Sequence, residues 1–200
     1  MLVVSCSFLK ADYNEVADAI SEIFGDRYPV TRHDAPVSID LTPDENSHFY
    51  AKLVLWSPTA GQTVIMGNQD DGFYTLGNIL NSTYGYDITR IGLTFDDKVF
   101  VKGNDNYAYF LFLHQDCHEK RRLVRVMQDP RWDFFEIGEP LPFEQTEKYT
   151  ERIKKKRLTN DMILDYVEAM GYDVRKPDFW KSDNAVYLEW SWIPVDQQNK

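Results

Sequence analysis

The densest group of chemically capable side chains is His114-Gln115-Asp116-Cys117-His118. His114 with Cys117, or His114 with His118, meets a single zinc ion if the segment turns helically. The segment instead closes an apolar run, Tyr107–His114, that reads as a strand, and helical spacing does not converge on a strand. The other histidines, His33 and His48, lie in loop-like sequence, and no second ligand pair stands at a diagnostic spacing. The expectation is a polar turn after a buried strand, with no metal and no cofactor.

Other constellations weaken in the same way. Asn68-Gln69-Asp70-Asp71-Gly72 has the oxygens of a calcium loop, but Ile79 stands where an EF-hand needs its twelfth-position Glu. Asp70 and Asp71 read better as helix N-caps whose paired carboxylates face a basic partner. Arg152, Lys154, Lys155, Lys156 and Arg157 crowd one segment, with Glu144, Glu147 and Glu151 nearby to neutralise part of the charge. That pattern fits a solvated helix end better than a phosphate site. There is no Gly-x-Ser-x-Gly, P-loop, Gly-x-Gly-x-x-Gly or His-Glu-x-x-His.

Charge narrows the partners. The 200 residues carry a net charge of −10, and residues 1–100 hold 6 Lys and Arg against 14 Asp and Glu. An acidic surface does not bind nucleic acid, which needs clustered cations on phosphate, and it steers basic partners. Asp70, Asp71, Asp96, Asp97 and Asp105 fall at turns or helix starts, where carboxylates project into solvent, and are the candidate contacts. No run is long enough to span a membrane. Leu2–Phe8 lacks the basic flank of a signal peptide. Cys6 and Cys117 stand in neither a metal nor a redox spacing, which fits a reducing compartment. A cytosolic protein is expected.

The elements that must position these residues follow from periodicity. Tyr107–His114 reads as a strand buried on both faces, around which the rest is organised. Leu2, Val4, Cys6 and Phe8 alternate with Ser5 and Ser7, predicting a strand with one buried face. Asp12 caps a helix with Val16, Ala19, Ile20, Ile23 and Phe24 on its stripe and Gly25 as its stop. An edge strand is expected at Val37–Leu41, strands at Phe49–Trp56 and Thr63–Met66, and a helix from Phe73 to Tyr84. A meander follows: Ile88–Phe95, Val99–Lys102, Tyr107–His114, Leu123–Met127 and Trp132–Ile137. Thr146 starts a helix to about Lys156, Thr159 or Asn160 starts another through Met170, and Val186–Trp192 is the last strand. The sum is one α+β domain with a largely antiparallel sheet and packed helices.

The aromatic content bears on binding. Tyr and Trp anchor protein interfaces, and Trp180, in the loop Lys176–Lys181, is the best placed of the five tryptophans. In size, acidity, aromatic richness and lack of a catalytic constellation, the chain resembles the immunity proteins that bacteria encode beside polymorphic toxins. The stretch Arg131-Trp132-Asp133-Phe134-Phe135-Glu136-Ile137-Gly138-Glu139-Pro140-Leu141-Pro142-Phe143-Glu144 has the character of such families. The resemblance implies a non-enzymatic antitoxin that binds a basic toxin domain and blocks its active site. An enzyme with a noncontiguous carboxylate or metal site, and a structural or phage accessory protein, stay open beside it.

Overall fold

Apolar alternation through Leu2–Leu9 makes the first strand, β1, and the strand order places it in the middle of the sheet. The computed structural model describes residues 2–38, 50–69, 72–95, 109–118, 120–128 and 131–193. Among these, β1 is joined by β2 (Thr31–Ala35), β3 (Tyr50–Trp56), β4 (Thr63–Gly67), β5 (Ile88–Phe95), β6 (Tyr109–Gln115), β7 (Arg121–Gln128), β8 (Trp132–Ile137) and β9 (Ala185–Ser191). The spatial order is β2-β9-β3-β4-β1-β5-β6-β7-β8, and every neighbouring pair is antiparallel. With helices on both faces, the chain is a single α+β domain of three layers.

Helices α1 (Tyr13–Phe24) and α2 (Tyr74–Tyr84) cover one face, and α3 (Asn160–Ala169) covers the other. α1 starts where Asp12 accepts the Asn14 N–H at 2.8 Å and stops at Gly25, whose φ is 53°. Its apolar stripe, Val16, Ala17, Ala19 and Ile20, meets Leu53, Leu55 and Ile65 of the sheet. α3 is capped by Thr159 and lays Met162, Ile163, Tyr166 and Val167 on Phe8, Ile91 and Phe112. β6 is interior and buried on both faces, as its unbroken apolar run predicts: Phe110 to Leu113 are all 7% exposed or less.

Three local expectations need correction. β1 is buried on its polar face too, with Ser5 9% and Ser7 7% exposed, because α2 and the chain entering it lie over that face. A Cβ on Gly72 would come within 2.6 Å of the Ser5 Cβ. The segment after Thr146 is not one helix but two 3₁₀ turns, Thr146–Thr150 and Lys154–Lys156. It has no apolar stripe, Ile153 is exposed, and its cations repel one another at helical spacing. The residue preceding α2 is Phe73 and not a carboxylate; its φ of 58° lets the ring enter the core against Gly67, where a Cβ would lie 2.2 Å from that ring. The observed edge strand is Thr31–Ala35, and residues 39–41 lie outside the described residues, as do Val99–Lys102 and the turn Asp96-Asp97-Lys98.

Candidate functional sites

Two concavities stand out, one on each side of the sheet. The first lies where the carboxyl end of α1 approaches the start of α2. It is a groove of about 310 Å³ walled by Ile23, Phe24, Phe73, Leu76, Ile79 and Trp192. Helical periodicity places Ile23 and Phe24 at the rim of the α1 stripe, where they cover the groove wall rather than the centre of the core. Aromatic packing fixes that wall. The Phe24 ring lies 4.3 Å from Trp190 and 5.7 Å from Trp192, and Trp190 meets Trp192 edge-on at 5.3 Å. Such ring pairs hold a shape without spending a polar group.

The charged side chains of α1, the helix that supplies Ile23 and Phe24 to the groove, are all acidic. Glu15, Asp18 and Glu22 are exposed along one side of α1, which carries no Lys or Arg. Asp18 is engaged by Arg32 of β2 at 2.6 Å, on the side toward the sheet edge. Burial and the hydrogen bond it donates to Glu22 raise the Tyr84 phenol. Asp70 and Asp71 come directly after Gln69, which lines the groove, and shortly before Phe73.

The second concavity opens on the α3 side, where three strands end together. Lys10 follows β1, Asp87 precedes β5, and Thr89 of β5 and His114 of β6 face each other in register. The cavity measures about 280 Å³, and Leu141, Phe143, Met170 and Tyr172 close it. Thr89 Oγ1 lies 3.0 Å from His114 Nδ1 and 3.5 Å from Met170 Sδ. The hydroxyl has one proton. If it goes to the sulfur, Nδ1–H donates to Oγ1 and Nε2 is an acceptor; if it goes to Nδ1, Nε2 carries the ring proton. Burial pushes the imidazole below its ordinary pKa; Asp87 and Asp116 oppose this, and Lys10 adds to it. Burial, and then the Asp87 charge, pushes the Tyr172 phenol up to about 12.

A buried ion pair holds one wall of this cavity. Arg122 of β7 is 3% exposed and the Glu144 side chain 0%. Arg122 Nη2 donates to Glu144 Oε2 at 2.6 Å and Nε to Oε1 at 2.9 Å, while Nη1 donates to the Gly138 carbonyl at 2.9 Å. Glu144 also accepts from the Tyr149 hydroxyl at 2.8 Å and the Leu141 N–H at 2.9 Å, and Tyr149 meets Tyr166 at 3.0 Å. The guanidinium pKa is raised: burial opposes it, and the hydrogen bonds it donates to Glu144 and Glu136 outweigh that. Every polar group of the pair has a partner, so the network acts as a clasp that fixes residues 138–144, including Leu141 and Phe143.

Of the residues singled out from sequence, Asp70, Asp71, Asp96, Asp97 and Asp105 lie outside the described residues. Trp180 is half-buried: its indole N–H donates to the Val174 carbonyl at 2.7 Å and its ring lies 6.1 Å from Trp56. His114 points into the second cavity, whereas Cys117 and His118 belong to an exposed turn tied by the Cys117 N–H to Asp87 at 2.6 Å. Among the described residues, no three His, Cys, Asp or Glu side chains converge on one point. The basic run lies against β8, with Lys154 on Asp133 at 2.8 Å and the Arg157 guanidinium 5.2 Å over Phe134. Sequence reading passed over Lys10, Asp87 and Thr89, because only the strand order brings their positions together. Among the described residues, no helix is long and apolar enough to cross a membrane. No family model matches the chain, and no curated protein or solved structure matches it.

Proposed function

We propose that this chain is a cytoplasmic, non-enzymatic immunity protein that neutralises a cognate bacterial toxin by binding its basic catalytic domain. One observation carries the proposal: a preformed apolar groove between α1 and α2, walled in part by a helix whose charged side chains are all acidic. Its aromatic walls suit a buried apolar anchor from the partner, the kind of contact that dominates interface energies. The exposed carboxylates of Glu15 and Glu22 on α1 suit a partner rich in Lys and Arg. This charge supplies steering and orientation more than affinity. Toxin domains that act on nucleic acids or nucleotides present basic clefts, so a cover for such a cleft needs this sign of surface.

The test is kinetic. Wild-type protein and a Glu15→Lys/Glu22→Lys variant are measured against the catalytic domain of the toxin encoded beside this gene, at low and high salt. The variant is expected to lose association rate about tenfold at low salt, with the difference shrinking as salt is raised. Phe24→Ala is expected to act mainly on dissociation. Absence of binding by the wild-type protein overturns the proposal.

A further inference from the structure

The second cavity differs from the groove in chemistry, and it shares no lining residue with it. Lys10 and Asp87 line the cavity with opposite charges and form no ion pair with one another, and both act on His114. His114 lies beside them, with Thr89 Oγ1 on its Nδ1. Leu141, Phe143 and Met170 add an apolar wall to the same cavity, with Met170 beside Thr89. Ala169 and Met170 are the last turn of α3, whose carbonyl end carries partial negative charge and favours a cation. The volume of about 280 Å³ suits a ligand of about ten non-hydrogen atoms.

We infer that this cavity binds a small zwitterion of the apolar α-amino-acid class. Lys10 takes the carboxylate. Asp87 and the carbonyl end of α3 take the ammonium group. The side chain lies on Leu141, Phe143 and Met170. The clasp of Arg122 and Glu144 makes the cavity rigid in the absence of ligand, because it fixes the strap that carries Leu141 and Phe143. A single charge in the cavity would favour a simple ion; two charges of opposite sign that are not paired with each other, together with an apolar wall, favour an apolar zwitterion.

The probes are L-leucine, L-methionine and L-phenylalanine, with isopentylamine and 4-methylpentanoate as leucine relatives lacking one charge each. Binding to the full chain is followed by the His114 imidazole proton resonances. At least one amino acid is expected to shift them at about 10 mM or below, and each single-charge relative to bind about tenfold more weakly than leucine. Lys10→Ala should weaken leucine and 4-methylpentanoate but leave isopentylamine unchanged. Asp87→Asn should do the reverse, weakening leucine and isopentylamine only. Both residues are at the cavity rim, and unchanged circular dichroism establishes that the variants fold. No response to any of the three amino acids overturns the inference. So does a response that the two variants change in the same way for all the leucine-type probes.

Discussion

The buried pair Arg122–Glu144 allows a quantitative test of how the strap over α3 is held. Removing one member leaves a charge where water cannot reach it, since the two side chains are 3% and 0% exposed. Loss of one partner from a buried pair costs about 3–5 kcal/mol. Glu144→Ala belongs at the lower end, because Arg122 keeps Glu136 at 2.8 Å and the Gly138 carbonyl at 2.9 Å. Arg122→Met belongs at the upper end, because Glu144 keeps only the Tyr149 hydroxyl and the Leu141 N–H. The double variant Arg122→Met/Glu144→Leu removes both charges and keeps apolar volume, so it should cost less than either single change. Urea unfolding followed by tryptophan fluorescence supplies all four stabilities. Against a whole-domain stability of about 5–15 kcal/mol, each effect is large enough to measure. Costs that add to within about 0.5 kcal/mol would refute direct coupling between the two side chains.

Other expected outcomes follow from single positions. Phe110→Ala and Leu111→Ala should each cost about 2–5 kcal/mol by urea unfolding, since β6 is covered on both faces; a near-zero cost at both would contradict its place in the sheet. Gly138→Ala should cost about 1–3 kcal/mol in the same assay, because φ is 84° there and a Cβ would stand 2.0 Å from the Arg121 carbonyl oxygen. His114 has its folded pKa below 6.5 through burial, so the unfolded chain takes up the proton first as pH falls. The stability that neutral His114 permits is therefore complete above 6.5 and falls below it. His114→Gln should flatten that acid-side decline between pH 7.5 and 5.5; an unchanged slope would contradict it.

Much of the fold was legible because it rests on local periodicity. The α1 stripe and the run of β6 state their own burial, whereas the alternation of β9 does not: Val186, Leu188 and Trp190 enter one core and Ala185 and Tyr187 the other. What was not legible depends on neighbours far away in sequence. Ser5 and Ser7 read as solvent-facing until α2 is laid over them. Glu144 reads as one of several acids near a basic run, and only the hairpin from β7 to β8 brings Arg122 to it. Residues 146–156 carry a good capping start and good helix formers, yet propensity without an apolar face does not hold a helix. The groove was hidden for a different reason: Ile23 and Phe24 obey the same spacing as core residues, so a pattern cannot separate a groove wall from a core.

Survival under toxin co-expression bears most directly on the proposed role. The catalytic domain of the neighbouring toxin is induced in cells that carry this protein, the Glu15→Lys/Glu22→Lys/Phe24→Ala variant, or neither. Wild-type protein is expected to restore growth, and the variant, matched in abundance, to restore it less. Cells that die as fast with the wild-type protein as without it would contradict an immunity function.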